Sequence, residues 1–166
     1  MIKRLKYALY INIINKFLKG YHFFRLKRSL LKRLNIEVGD NTNIIGPIFI
    51  GYCSNVKIGK NNHIGKNFVI NGNGNLIIGD NCDIAPDVII GTGTHQIGDT
   101  NRRGGKGKNC SIKIGNGCWI GTRVTIIGDT EIGNGVVIGA CALVNKNIND
   151  NLLVGGVPIK KIKELR

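Results

Sequence analysis

"IGNGCWIGTRVTIIGDTEIGNGVVIGACALV", Ile114 to Val144, places an aliphatic residue at every sixth position: Ile114, Ile120, Ile126, Ile132, Ile138 and Val144. An internal repeat this short points to a parallel β-helix. Each hexad is one short strand plus one turn, and its aliphatic residue points inward onto its equivalents in neighbouring coils. Stacking then buries a continuous core that no single turn could bury alone. Glycine follows the aliphatic residue in "IGNGCW", "IGTRVT", "IGNGVV" and "IGACAL", where a tight corner excludes a Cβ. The fifth place is small or β-branched (Cys82, Val88, Thr94, Cys118, Val124, Thr130, Val136, Ala142), which makes Cys82 and Cys118 packing residues.

Outward from that stretch the beat continues with changes of phase. It runs through Val38, Ile44 and Ile50, shifts by two to Ile58, Ile64 and Ile70, and shifts again to Ile78, Ile84 and Ile90. It then stops at "GTGTHQIGDTNRRGGKGKNC" and resumes at Ile114. The interruption, near 95–113, is too long for a turn and has the glycine and charge content of an extruded functional loop. Periodicity leaves the hand of the coil open, and general crossover rules favour a right-handed path.

The blocks "IGDNCDIAPDVIIGTGTH", "IKIGNGCWIGTRVTII" and "IGNGVVIGACALVNKNINDNLLVGGVPIKKIKEL" resemble the hexapeptide-repeat acyltransferases, in particular the maltose and galactoside O-acetyltransferases and the related capsule and O-antigen enzymes. The resemblance runs from Ile78 to Leu165. It implies an all-β solenoid, a left-handed parallel β-helix that assembles as a homotrimer, and acetyl-CoA as acyl donor to a saccharide acceptor. It also implies that His95 is the general base. Taking a hydroxyl proton near neutral pH suits an imidazole, whose ordinary pKa is about 6.5.

By the same resemblance Trp119, at an outward place in its hexad, lines the cleft where donor and acceptor meet. Gly121, Ala140, Lys146, Lys160 and Lys163 then line the coenzyme groove, the lysines meeting its phosphates. The family's usual "GAGS" is "GACA" here, without the serine. Asn71 and Asn73, in "VINGNGNLIIG", occupy the acceptor-side bulge and can hydrogen-bond sugar hydroxyls. Arg102 and Arg103 in the loop, with Lys106 and Lys108, offer charge to an anionic sugar or a cofactor phosphate. His63 takes the sixth place of its hexad with no loop after it and reads as a surface corner, while His22 precedes the coil. Without ligand-like spacing these histidines do not make the metal site of the carbonic-anhydrase branch of the fold, so no metal is expected. Two other functions remain open at this level: N-acetylation of an amino sugar, and a solenoid that binds a partner without catalysis.

Composition divides the chain. Its 166 residues suit one domain. Of 24 basic residues, ten precede Glu37 and no acidic residue does, so the first 36 residues carry +10 of the formal +14. Residues 1–36 are thus a basic segment and 37–166 the β-helix domain. Apolar residues at Ile2, Leu5, Leu9, Ile13 and Phe17, and again at Phe23, Leu26, Leu30 and Leu34, predict two amphipathic helices separated by Gly20. They either cap the first coil or meet an anionic membrane surface, and no nucleic-acid motif surrounds the charges. No apolar run reaches the roughly 20 residues of a membrane span, and no signal-peptide pattern is present. Five cysteines without paired spacing suit a reducing cytoplasm, with the enzyme soluble there or peripheral at the inner face of the membrane.

Overall fold

The structure, a computed structural model, describes residues 2–51 and 54–166. Cys53 lies outside the described residues, as do the side chains of Ile2 and Lys3. Helices α1 (Ile2–Phe17) and α2 (Phe24–Lys32) precede about six turns of left-handed parallel β-helix. Three sheets form the faces of a triangular prism. The first face stacks Glu37–Val38, Asn55–Ile58, Asn75–Ile78, Ser111–Ile114 and Thr130–Ile132. On the second lie Asn43–Ile44, His63–Ile64, Asp83–Ile84, Trp119–Ile120, Val137–Ile138 and Leu152–Gly155, with Lys160–Glu164 antiparallel at its end. The third stacks Ile48–Ile50, Phe68–Asn71, Ile89–Gly91, Thr125–Ile127 and Leu143–Val144.

Strand registers explain the shifts of phase. Glu37 pairs with Lys57 and Lys57 with Ile77, 20 residues apart, whereas Lys113 pairs with Glu131, 18 apart. Three hexads make an 18-residue coil, so the early coils each carry two residues beyond the repeat. Ile77 pairs with Lys113, 36 residues on, which is one coil plus an 18-residue excursion. All the surplus residues sit at one edge, where the third face turns into the first.

The core is the column of first-place aliphatics: Ile64, Ile84, Ile120 and Ile138 are at most 1% exposed. Cys82 and Cys118 are equally buried, as their place in the hexad predicts, and burial adds to a mutual hydrogen bond in pushing the Cys118 thiol above its usual range. Thr94 is an exception. It is exposed on the excursion, and Thr92, fully buried, is the last residue of its coil to pack inside.

The glycines after the aliphatic residues have a different cause from a strained turn. A Cβ on Gly39, Gly59 or Gly115 would lie 2.6, 2.5 or 2.7 Å from the backbone of the glycine one coil on. Close approach of successive coils excludes the side chain, while the left-handed turn conformation falls on Asn41, Asn61 and Asn81, with φ of 57 to 59°. Their amides form a ladder, Asn41 Nδ2 donating to Asn61 Oδ1 at 3.3 Å and Asn61 Nδ2 to Asn81 Oδ1 at 3.2 Å.

The helices close the open first coil by satisfying its edge. Asn15 donates from Nδ2 to the Ile48 carbonyl at 2.8 Å and accepts the Ile48 N–H at 2.9 Å. The Tyr7 hydroxyl donates to the Ile50 carbonyl, and burial raises its pKa to about 12. Lys27, one of the ten basic residues, is fully buried and donates to the carbonyls of Gly20 (2.7 Å) and Ile44 (2.8 Å). Burial lowers its pKa. Two charge-assisted bonds at roughly 1.5–3 kcal/mol each stand against a desolvation cost of several kcal/mol, so Lys27 fixes the geometry of the cap more than it adds stability. Arg28 Nη1 donates to the Thr42 carbonyl at 3.0 Å.

Of the apolar stripe picked out on α1, Ile13 alone among the described side chains packs against the core. Ile14 and Leu18 pack on the coil, whereas Leu5, Leu9 and Phe17 are exposed. On α2, Leu30 and Leu31 are buried, while Phe23, just before the helix, and Leu26 are exposed. Of the predicted stripes, Leu30 is buried and Ile13 and Leu34 pack against the core, while Leu5, Leu9, Phe17, Phe23 and Leu26 are left uncovered by the cap.

Candidate active site

The excursion begins at Thr92. Its N–H and Oγ1 both donate to the Asn71 carbonyl (2.7 and 3.0 Å), and its carbonyl accepts the Cys110 N–H at 2.8 Å. A single buried threonine thus ties the outgoing and returning strands to the coil below. The bulge around Gly72 and Gly74 is shaped to that neck. A Cβ on Gly72 would fall 2.4 Å from the Gly93 nitrogen, and one on Gly74 2.0 Å from the Cys110 carbonyl oxygen.

Beyond the neck the chain forms an antiparallel ribbon, Gly93–Ile97 against Gly104–Asn109, rather than an irregular loop. His95 lies on its outgoing strand opposite Gly107, next to a bulge before Ile97. Almost every residue of the ribbon is exposed, Ile97 at 88%. A two-stranded ribbon with so little cover from its own chain is marginal by itself. Its root is braced by Asp129, whose carboxylate accepts Lys108 Nζ at 2.8 Å and the Ser111 N–H at 2.9 Å. The Lys108 hydrogen bond holds that carboxyl below its usual pKa. Lys108, half-exposed, is paired with Asp129 at the base of the ribbon.

Asn71 and Asn73 are exposed at the same edge as His95, with Gly93 packed on the bulge between them. These three predicted residues share one edge of the prism. Arg102 and Arg103 do not join them. They sit at the far turn of the ribbon, where the Arg102 N–H donates to Asp99 Oδ1 at 3.1 Å and Arg103 Nη1 to the Gly98 carbonyl at 3.3 Å.

The remaining predicted residues lie elsewhere. Trp119 is 60% exposed on the outer side of the second face. Gly121 and Ala140 stack at the next edge, where a Cβ on Gly121 would come 2.6 Å from the Ala140 nitrogen. Lys160 and Lys163 are exposed on the terminal antiparallel strand of the second face. Lys146 and Lys160 both line a depression of about 160 Å³ at the C-terminal end of the prism, where buried Ile159 plugs the last coil. In a three-sided prism the second face lies opposite the edge that carries the ribbon. One chain therefore presents His95 with its asparagines on one side and the indole with its small-residue edge on the other.

Sequence reasoning passed over Asp83 on this surface and read His63 as a corner. His63 is not at a corner but on a strand of the second face, half-buried, 6.3 Å from the Tyr21 ring. It is in register with Asp83, and Asp83 with Trp119. All three hold the sixth place of their hexads, the signal that would have aligned them on one outward column. Among the described residues, no three His, Cys, Asp or Glu side chains gather as a metal site requires.

Comparison with known proteins shows the family. The bacterial transferase hexapeptide (six repeats) family model matches residues 107–146. The chain is 36% identical over 139 residues to the galactoside O-acetyltransferase of Escherichia coli K12, covering 84% of this chain and 68% of that protein. A galactoside acetyltransferase solved in complex with coenzyme A superimposes with a TM-score of 0.78 at 32% identity, over 99% of this chain and 81% of that one. A hexapeptide-repeat acetyltransferase of Vibrio cholerae, solved with acetyl coenzyme A, shares the fold at a TM-score of 0.87 and 24% identity, over 99% and 88% of the two chains. The repeat, the interrupted coil and these likenesses together make the chain a member of the hexapeptide-repeat acetyltransferases, the family of the galactoside O-acetyltransferases.

Proposed function

We propose that the protein transfers an acetyl group from acetyl-CoA to a hydroxyl of a saccharide, in the cytoplasm, on a surface polysaccharide or its precursor. His95 takes the proton of the acceptor hydroxyl as its oxygen attacks the thioester carbonyl carbon. The tetrahedral centre collapses with cleavage of the carbon–sulfur bond, and the imidazolium returns the proton to the departing thiolate. Backbone N–H groups stabilise the oxyanion. Asn71 and Asn73 orient the sugar, and Arg102 and Arg103 reach an anionic substituent or a cofactor phosphate. Trp119 packs on the donor, the bare edge at Gly121 and Ala140 admits its chain, and Lys146, Lys160 and Lys163 meet its phosphates.

One observation carries this reading beyond the family likeness: His95 lies across the prism from Trp119 and the edge at Gly121 and Ala140, while Lys146, between the third and first faces, is the one donor-side residue on the ribbon's own edge. His95 and the indole serve one reaction only if the ribbon of one copy reaches the second face of the next, so the active form is a homotrimer with a site in each cleft. The outer side of the third face supports such packing, with Phe49 51% and Ile89 39% exposed in line with Val69. The ribbon, lacking cover of its own, gains it from the neighbour.

The test is a screen of mono- and oligosaccharides with acetyl-CoA, following release of free thiol, alongside light scattering for molar mass. Thiol release that depends on a sugar, from a trimer, is the expected result. Transfer to amino sugars alone would move the reading to N-acetylation. An inert mixture across the screen, or an active monomer, would overturn it.

A further inference from the structure

The cap leaves a set of apolar side chains that no described residue covers. On α1 the packed side holds Ile14 and Leu18, with Tyr7, Tyr10 and Ile11 beside them. Ile13 also packs against the core, whereas Leu5 and Leu9 on the other side and Phe17 at the end of the helix are 73%, 55% and 75% exposed. Just beyond the helix, Tyr21, Phe23 and Leu26 are also exposed. Six large apolar side chains bare in one short segment mark an interaction surface rather than scattered exposure.

Charge identifies the partner. Lys6, Lys16, Lys19, Arg25, Lys32 and Arg33 are exposed around these residues, and no acidic residue precedes Glu37. Lys27 is buried in the cap and Arg28 donates to the Thr42 carbonyl of the first coil, so neither contributes to this surface. A protein partner would have to supply an acidic surface that is also apolar at its centre. A bilayer of anionic lipid offers both together: headgroup charge for the lysines and acyl chains for the apolar side chains. No described helix is long and apolar enough to cross a membrane, which leaves the helix lying in the interface plane.

We propose that α1 and the α1–α2 connection dock on an anionic lipid surface, Leu5, Leu9 and Phe17 inserting while the surrounding cations meet the headgroups. The same helix thus caps the coil with one side and holds the enzyme on a membrane with the other. This stands apart from the acetyl-transfer reading, since it rests on a surface that contains none of the candidate catalytic groups.

The experiment is co-sedimentation of the full-length protein with vesicles of phosphatidylcholine alone or mixed with phosphatidylglycerol, at low and high salt. Binding is expected only to the mixed vesicles, weaker in salt because the charge attraction is screened. Leu5→Ser/Leu9→Ser/Phe17→Ser is expected to bind at least tenfold more weakly without losing its melting transition, since the removed groups are exposed. Lys16→Gln/Lys19→Gln is expected to lose about 30-fold at low salt, about fivefold per charge. Failure of the wild type to sediment with the mixed vesicles, or full binding by the triple serine variant, would overturn the proposal. So would a change of molar mass in that variant with no vesicle binding by the wild type, which would assign these side chains to contact between copies. Thiol release on a soluble sugar, measured in the same samples, reports separately on the enzyme.

Discussion

From Ile50 to Asn55 and from Ile70 to Asn75 the chain takes five residues to turn the edge between the third and first faces, and from Ile90 to Ser111 it takes twenty-one. The second face, opposite, keeps an unbroken register from Asn43 through His63, Asp83 and Trp119 to Val137. One side of the prism is therefore built by departing from the repeat, the other by obeying it and varying what points outward. A coil tolerates extra residues only where backbone can leave the stack without opening the core, which confines insertions to an edge. A face can change chemistry only through outward side chains, because the inward ones are fixed by packing. The acetyl-transfer reading uses both devices, the departure for the base and the regular face for the donor.

The largest expected effect breaks the edge half. His95→Ala is predicted to lower kcat by about 10²- to 10⁴-fold, the range for loss of a general base. Its melting temperature should be unchanged because the side chain is exposed. A folded variant with wild-type turnover would remove the base from the account.

A second pair of changes tests whether close coil contact, rather than turn strain, is what glycine serves. Gly79→Ala would put a Cβ 2.5 Å from Asn116 Oδ1 and 2.9 Å from the Gly115 backbone, and is predicted to cost roughly 1–3 kcal/mol in urea denaturation. Gly107→Ala on the ribbon meets nothing within 4 Å and should stay within about 0.5 kcal/mol of wild type. Equal costs would erase the distinction between coil and ribbon.

The smallest effect sharpens the face half. Trp119→Ala is predicted to raise KM for acetyl-CoA about tenfold with little change in kcat, as expected for loss of an aromatic contact made equally in ground and transition states. An unchanged KM would take the indole out of the donor groove.

The two sides also differ in how much of them the amino-acid order reveals. The solenoid was legible because one aliphatic per six residues is forced by the core, and each shift of two at Ile50 and Ile70 turned out to be a longer edge. His95 and the asparagines stood out because they interrupt that pattern. Outward positions on the regular face obey no such constraint, so periodicity could mark Trp119 as outward but not as functional, Asp83 went unnoticed, and His63 was read as a corner. The ribbon was expected as a loop because "GTHQI" and "GGKGKN" lack the apolar alternation of a half-buried strand. They lack it because both sides of the ribbon are exposed in the single chain. The stripe on α1 left its partner open for a related reason. Both sides of that helix are apolar, and spacing alone cannot tell which one meets the coil.

Most directly at issue is whether the two halves of a site come from different copies, and complementation between variants measures it. His95→Ala and Trp119→Asp chains, each nearly inactive at acetyl-CoA concentrations below KM, are co-expressed in equal amounts, and mixed trimers are assayed by thiol release. If each site takes its histidine from one copy and its donor face from the next, every mixed trimer holds one intact site in three. Activity should then recover to about a quarter of wild type in a random mixture. Activity no higher than the average of the two variants alone would place both halves in one chain and contradict the account.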